Sequence, residues 1–241
     1  MIDSDTVSPP RSYDDLMASP GWNADLQALN QTLVDSLTSR GLEPLIGGSP
    51  FYRHMQHQSI VGGKITTRND IKRRRLFDVA RLGTTLFEIG VNGGHGILLQ
   101  KSANPALKCI GIDICKTVGA GNPRADIYCP VAMRWLEGRF PGNVEFLIGS
   151  TADLLPGFVQ DHPNLRIDIL RLDGARNQFF NDFMAMKPLL HSESYIIFDE
   201  PGWPVCRDTV QRLMDMQLLR PDERFSPLDK LFTQDPVMRL V

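Results

Sequence analysis

Four glycines lie close together between a short apolar run, Leu86–Ile89, and the beginning of a predicted helix. They are Gly90, Gly93, Gly94 and Gly96. This spacing is typical of a tight turn from a buried strand into a helix, where the backbone passes close to a ligand and side chains would obstruct it. The sequence therefore predicts a ligand-binding turn, although a turn that serves only the fold would have the same pattern.

A carboxylate interrupts the apolar run two residues before Gly90. Burying Glu88 without a partner is costly, so we expect a hydrogen-bond donor or a cation beside it. A nicotinamide dinucleotide would bring its pyrophosphate to this turn, where another negative charge is unfavourable. A ligand with an ammonium and a sulfonium group, and no phosphate, fits the carboxylate better.

An aspartate ends the next apolar run, Cys109–Ile112. Asp113 follows Gly93 by 20 residues, since 113 − 93 = 20. A doubly wound fold places at this distance the acid that accepts hydrogen bonds from both ribose hydroxyls. An aspartate that caps the following helix is the alternative. Together the turn and this acid predict a nucleoside site.

The stretch Glu88–Gly96, EIGVNGGHG, resembles motif I of the class I S-adenosylmethionine-dependent methyltransferases. The resemblance is greatest to the small O-methyltransferases related to catechol and caffeoyl-CoA O-methyltransferase. It implies an α/β fold with a doubly wound, mostly parallel, seven-stranded sheet, and S-adenosylmethionine as the cofactor. Gly96 departs from the pattern, because relatives often carry a serine there that binds the cofactor's carboxylate. The cofactor-binding residues that the resemblance implies are Gly62, Glu88, Gly90, Gly93, His95, Asp113 at the ribose, Thr151 and Ala152 at the adenine, and Asp173.

Three acids follow the ends of two further predicted strands. Asp173 follows Ile167–Leu172, and Asp199 and Glu200 follow Tyr195–Phe198. Because ligands bind outside the carboxyl ends of the strands in an open parallel sheet, we expect these acids to lie close together. Their oxygens suit Mg²⁺ or another hard divalent cation, and the resemblance places metal-binding acids at the same positions. Acids that cap helices on a domain binding only the cofactor are the alternative.

Arg176 stands where catechol-type enzymes carry a lysine general base. Arginine stays protonated and cannot accept a substrate's proton. Either a metal ion alone lowers the pKa of the hydroxyl, or a histidine is the base, or the chemistry differs. Histidine titrates near neutral pH, and the candidate bases are His54 and His57 in a predicted loop, with His95 in the glycine turn as a third. Three aromatic residues are expected to form walls for the acceptor: Phe51, Tyr52 and Trp203.

Three functions fit these residues. The first is divalent-metal-assisted O-methylation of a small-molecule hydroxyl. The second is a metal-dependent hydroxylase or tailoring enzyme resembling the cephalosporin hydroxylases, which the Asp199–Glu200 pair and the missing lysine favour. The third is a non-catalytic protein that binds the cofactor. A nicotinamide-dependent oxidoreductase is disfavoured by Glu88.

Composition limits the partners of the chain. Its 241 residues carry 26 Lys and Arg against 28 Asp and Glu, a net charge of −2 that gives no general attraction for nucleic acid. The sequence has no apolar run long enough to span a membrane and no secretory signal, and its four cysteines show no metal-ligand spacing. We expect a cytoplasmic protein with a small-molecule acceptor, and a homodimer is left open.

The chain is expected to contain three parts. The first part is a mobile arm of residues 1–20, the second a helical lid of residues 21–58, and the third the S-adenosylmethionine-binding α/β domain of residues 59–241. In the lid, a helix capped by Asn23 carries an apolar stripe of Leu26, Leu29, Leu33 and Leu37.

Two further elements are predicted at the edges of the domain. The basic run Lys72–Arg75 predicts the solvated face of a helix that buries Ile71, Leu76 and Val79 on its other side. At the end of the chain, Leu231–Phe232 and Pro236–Val241 predict a closing antiparallel pair of strands.

Overall fold

Strands and helices alternate along most of the chain. A computed structural model describes residues 9–52, 60, 64–116 and 124–241. The strands are β1 (Thr85–Ile89), β2 (Lys108–Asp113), β3 (Val144–Ile148), β4 (Ile167–Leu172), β5 (Leu190–Phe198), β6 (Leu219–Pro221) and β7 (Val237–Leu240). The helices are α1 (Tyr13–Ala18), α2 (Pro20–Thr38), α3 (Asp70–Ala80), α4 (His95–Ala103), α5 (Ala125–Arg139), α6 (Thr151–Asp161), α7 (Phe179–Met186) and α8 (Pro204–Asp215).

Within the described residues, seven strands form one sheet in the order β3-β2-β1-β4-β5-β7-β6. Strands β1 to β5 run parallel, and β7 is antiparallel to both β5 and β6. Helices α1 to α5 contribute to the apolar core on one face, and α6 to α8 to the core on the other. Because helices cover both faces of the sheet, the central strands are buried on both sides, which explains their continuous apolar runs. The predicted doubly wound, mostly parallel sheet is confirmed.

Helices α1 and α2 both contribute buried residues to the core. The side chain of Ser12 accepts a hydrogen bond from the Asp15 amide at 3.1 Å and so begins α1, whose Tyr13 and Leu16 are buried. The expectation that all of residues 1–20 form a mobile arm was therefore wrong for α1. Ser19, and not Asn23, caps α2, because Pro20 at the first helical position begins the helix earlier.

The leucine stripe of α2 is confirmed. Its four leucines are 0–3% exposed and join the core that also contains residues of α4 and α5. Burial on this scale makes α2 a permanent layer of the domain.

Helix α3 buries part of the basic run that was expected to face solvent. Arg73 is 2% exposed, whereas Ile71 is 49% exposed. The Arg73 guanidinium donates to the Tyr13 hydroxyl at 2.6 Å and to the Pro50 carbonyl at 2.9 Å. These acceptors compensate the loss of water and allow an arginine to occupy an interior position. The prediction of a solvated basic face was therefore wrong for Arg73 and for Ile71, whereas Leu76 and Val79 are buried as predicted.

The closing strands are partly as predicted. Strand β7 lies within the predicted segment, but its antiparallel partners are β5 and β6, and Leu231–Phe232 instead follow a single helical turn. In the described residues, no helix is both long enough and apolar enough to cross a membrane.

Candidate functional site

A cleft of about 1170 Å³ lies along the edge of the sheet where the parallel strands end. Its walls come from the glycine turn after β1, the ends of β2, β4 and β5, and the first turn of α6. The structure brings most of the predicted site residues to this cleft, namely Glu88, Gly90, Gly93, His95, Asp113, Thr151, Ala152, Asp173, Arg176, Asp199 and Glu200. Three predicted residues, His54, His57 and Gly62, lie outside the described residues.

The turn between β1 and α4 needs glycine for two reasons. Gly90 has a φ of 92° and Gly94 a φ of 75°, which side chains rarely allow. A Cβ atom at Gly90 would also overlap the backbone of Asp173 after β4. The turn therefore packs directly against the next strand end and leaves its outer face open to the cleft.

Asp113 at the end of β2 holds this turn in place. Its Oδ2 atom accepts hydrogen bonds from the backbone amides of Val91 at 2.9 Å and Asn92 at 2.8 Å, and its Oδ1 atom accepts from Cys115 at 2.7 Å. An ionised carboxylate has about four acceptor positions, so lone pairs remain for a ligand. Its contact with a ribose stays a prediction.

Glu88 has a cation within the protein. Its Oε1 atom is 2.7 Å from Nη1 of Arg171, and its Oε2 atom accepts from Gln100 at 2.9 Å. Glu88 and Arg171 are both buried and lie opposite each other in the register of β1 and β4. Burial raises the pKa of Glu88, and Arg171 opposes that shift. The cation expected from a ligand is thus supplied by Arg171.

Gly96 makes room for this ion pair. A Cβ atom at Gly96 would overlap Nη1 of Arg171 and lie 2.9 Å from Oε1 of Glu88. The departure from the serine of relatives therefore has a physical reason in this chain: the first turn of α4 must leave space for a guanidinium.

The inner acids at the strand ends are paired with cations as well. Asp173 pairs with Arg171, and Asp199 pairs with Lys72 from α3. Nζ of Lys72 is also 3.4 Å from Oδ2 of Asp235, which precedes β7. These five residues form one buried charged cluster in the wall of the cleft.

Burial and pairing shift the pKa values of this cluster in opposite directions. Burial alone would raise the pKa of Asp199, but Lys72, a hydrogen bond with Asp173 and the charge of Arg171 together outweigh burial, and the pKa is lowered. Burial raises the pKa of Asp173 well above its ordinary value and that of Asp235 to about 7. The pKa of Lys72 is raised because its acidic neighbours outweigh its burial. Lys72 is therefore a fixed positive charge beside an ionised Asp199.

The outer acid, Glu200, turns toward the surface. It pairs with Arg176, whose Nε atom donates to Oε2 of Glu200 at 2.6 Å. The same guanidinium lies over the ring of Trp203, 4.6 Å from its centroid. Trp203 is 53% exposed at the rim of the cleft, as expected of a wall for the acceptor.

These contacts do not fit a hard divalent cation at Asp173, Asp199 and Glu200. Each of the three carboxylates already contacts a different cationic side chain. In the described part of the chain, the group whose ligand atoms lie within 4.8 Å of one another consists of Asp113, Cys115 and Cys129. Two of those ligands are sulfur atoms, which do not suit Mg²⁺. The predicted Mg²⁺ site stays a prediction without support from this geometry.

His95 links the glycine turn to α2. Its Nε2 atom is 2.7 Å from Oδ1 of Asn30, and Nδ2 of Asn30 donates to the Tyr52 hydroxyl at 2.8 Å and to the Ile60 carbonyl at 2.6 Å. Because Asn30 uses its oxygen here, we assign the proton of His95 to Nε2. Burial lowers the pKa of His95 to about 4, so the ring is neutral near pH 7.

The aromatic residues of the loop after α2 have different roles. Tyr52 lines the cleft, as expected for a wall. Phe51 is fully buried between Trp22 and His95, with ring centroids 5.4 Å and 6.3 Å away. The expectation that Phe51 contacts the acceptor was therefore wrong, because its ring completes the core beneath the turn.

Sequence reasoning missed several charged residues of the cleft. Arg171 could have been found, because it is the residue before the last in β4, as Glu88 is in β1. Lys72 and Asp235 gave no local signal, since their partner Asp199 is far away in the sequence. Asp182 on α7 was also missed, and burial raises its pKa to about 6.

The sequence matches no known family model and no curated protein. Solved structures resemble it over most of its length. CalS11, a calicheamicin methyltransferase, is 15% identical, with 93% of this chain and 96% of CalS11 covered and a TM-score of 0.52. TomG from Streptomyces achromogenes, an O-methyltransferase solved with S-adenosylmethionine, is 16% identical, with 88% and 89% covered and a TM-score of 0.52.

An O-methyltransferase from Bacillus cereus, solved with S-adenosylhomocysteine, is 10% identical, with 90% of each chain covered and a TM-score of 0.54. These likenesses confirm the predicted Rossmann-like methyltransferase fold. At such low identity they establish the fold and leave the activity to be argued from the site.

Proposed function

We propose that this protein is an S-adenosylmethionine-dependent O-methyltransferase that acts on a hydroxyl group of a small molecule. The observation that carries the proposal is the placement of three segments on one cleft. The glycine turn after β1, Asp113 at the end of β2, and Thr151 with Ala152 at the beginning of α6 line it together. This is the crevice at the carboxyl ends of the strands where open α/β sheets bind ligands.

The carboxyl groups of the cleft can accommodate a positively charged cofactor. Four of them, Glu88, Asp173, Asp199 and Asp235, surround two buried cations, Lys72 and Arg171. Burial and the neighbouring Asp199 raise the pKa of Asp173 and the pKa of Asp235, the latter to about 7, so these two groups bind protons readily near neutral pH. A sulfonium or ammonium group bound beside them would favour their ionised forms.

In the proposed reaction, the acceptor oxygen attacks the methyl carbon of the sulfonium. The new O–CH₃ bond forms as the C–S bond breaks, S-adenosylhomocysteine is released, and the hydroxyl proton passes to a base. The protein contributes mainly by holding the two reactants in line. Arg176 is paired with Glu200 and acts as a fixed cation, and the roles of His54 and His57 as bases stay predictions.

The acceptor is proposed as a class only. CalS11 is described as a TDP-rhamnose 3'-O-methyltransferase, and TomG as an O-methyltransferase involved in tomaymycin synthesis. TDP-rhamnose is a small molecule, and the exposed Trp203 of this chain offers a flat apolar surface on which a ring could stack. A small hydroxylated acceptor is therefore the class that we assign.

Isothermal titration with S-adenosylhomocysteine tests the cofactor site. We expect the unmodified protein to bind it and Ala152→Trp to lose most of the affinity. Ala152 is exposed in the first turn of α6 and lines the cleft, so an indole there would fill the proposed adenine site without disturbing the core.

Ala24→Trp is the matched control, because Ala24 is exposed on α2 and is not among the residues that line the cleft. It should bind S-adenosylhomocysteine as the unmodified protein does. Absence of binding by the unmodified protein, or equal binding by Ala152→Trp, would contradict the proposal.

A further inference from the structure

The cluster around Lys72 places an ammonium where the sequence predicted a metal ion. Lys72 reaches the ends of the central strands from α3 and pairs with Asp199. It also lies 3.4 Å from Oδ2 of Asp235, an atom that accepts no hydrogen bond. Its side chain is 19% exposed and lines the cleft, so an acceptor bound beside the ends of β4 and β5 could reach the ammonium.

Because Asp199 is paired with Lys72, a metal ion would depend on Asp173 and Glu200 as ligands. Both of these acids are paired with cations as well. Arg171 holds Asp173 from inside the sheet, where it also neutralises Glu88. Arg176 holds Glu200 at the rim. A divalent ion bound here would have to compete with these cations for its ligands and would lie close to two or more of them, which like-charge repulsion opposes.

We propose that Lys72 is the resident cation of this site, and that its ammonium takes the place of a divalent metal between Asp199 and Asp235. This cation lies in the same cleft as the proposed cofactor site. Only the role given below to the acceptor rests on the proposed function. An ammonium has three N–H donors. One donates to Asp199, and Oδ2 of Asp235 lies 3.4 Å away without a hydrogen bond. A remaining donor can donate to an oxygen of the acceptor, which makes Lys72 a positioning residue for the hydroxyl to be methylated.

Binding of Mn²⁺ tests this inference without any measurement of activity. Electron paramagnetic resonance detects free Mn²⁺, and its signal falls when the ion binds protein. We expect the unmodified protein to leave the signal of millimolar Mn²⁺ unchanged. Lys72→Met should bind Mn²⁺ at least about tenfold more tightly than the unmodified protein, because removing the ammonium frees two carboxylates as ligands.

Three controls accompany this measurement. Lys72→Arg keeps the positive charge and should not gain Mn²⁺ binding. Lys108→Met removes an exposed lysine at the beginning of β2 and should also gain none. Lys72→Met combined with Asp199→Asn should lose the gain, which would identify Asp199 as a ligand in the variant.

Two results would overturn the inference. One is tight Mn²⁺ binding by the unmodified protein that Asp199→Asn abolishes. The other is a folded Lys72→Met that binds no Mn²⁺. Should Lys72→Met fail to fold, the measurement on the unmodified protein still decides whether the site binds a divalent ion. Titration of the same samples with S-adenosylhomocysteine reports on the cofactor site separately, so failure of the proposed function would appear there and not in the Mn²⁺ signal.

Discussion

At the scale of single residues, charges of opposite sign alternate along the wall of the cleft. Gln100 donates to Glu88, Glu88 pairs with Arg171, and Arg171 pairs with Asp173. Each buried charge thus has a partner, which offsets the cost of removing it from water. Replacing one residue of this series leaves its neighbours buried and unpaired. The loss in the free energy of unfolding therefore depends more on how deeply the pair is buried than on the type of residue replaced.

Arg171→Met should therefore lower the free energy of unfolding by about 3–5 kcal/mol, since it leaves Glu88 without its cation and Asp173 without its guanidinium. Arg176→Met is the matched control. The Arg176 pair with Glu200 is about 40% exposed, and losing it should cost less than about 1 kcal/mol. Urea denaturation of both variants measures the difference, and equal losses would contradict the argument.

His95 should make stability depend on pH. Its pKa is about 4 in the folded protein and 6.5 in the unfolded chain, so between these values the unfolded chain binds more protons. The contribution of His95 is complete above pH 6.5 and falls as the pH drops toward 4, by up to about 3 kcal/mol. His95→Gln keeps a donor for Asn30 and removes this titration.

Urea denaturation measures the free energy of unfolding at pH 7 and at pH 4.5. The difference between these two values should be smaller in His95→Gln than in the unmodified protein. His162→Gln, at an exposed histidine after α6, is the control and should keep the full difference. An unchanged pH dependence in His95→Gln would show that other groups are responsible for it.

At the scale of elements, α2 and the glycine turn form one structural unit. The leucine stripe of α2 is buried, and Asn30 on the same helix connects to His95 at the beginning of α4. Apolar burial and a buried hydrogen bond both hold the helix against the turn, so α2 supports the position of the turn beside the cleft.

Leu33→Ala in α2 should lower the free energy of unfolding by about 2–5 kcal/mol, because Leu33 is fully buried and the substitution creates a cavity. Gln31→Ala, two residues earlier and exposed, should change it by less than about 0.5 kcal/mol. Thermal or urea unfolding measures both. A loss for Leu33→Ala no larger than that for Gln31→Ala would mean that α2 is not part of the cooperative core.

At the scale of the whole molecule, the sequence predicted the sheet and its strand ends better than the contacts between side chains of different segments. The alternating apolar runs and the glycine turn led to the correct sheet, because strand type and strand ends depend on local pattern. The same reasoning brought Asp173, Asp199 and Glu200 to one edge. It did not predict Lys72 as the cation of Asp199, since the two residues become neighbours only after folding. Arg171 was overlooked although it lies two residues before Asp173. On α3, a buried Arg73 departs from the pattern expected of a basic run.

The space left by Gly96 has a consequence for residue choice at that position. A Cβ atom there would overlap Nη1 of Arg171 and lie 2.9 Å from Oε1 of Glu88. Any larger residue at position 96 would therefore have to push the guanidinium away from the glutamate, which couples the choice of glycine to the ion pair beneath the turn.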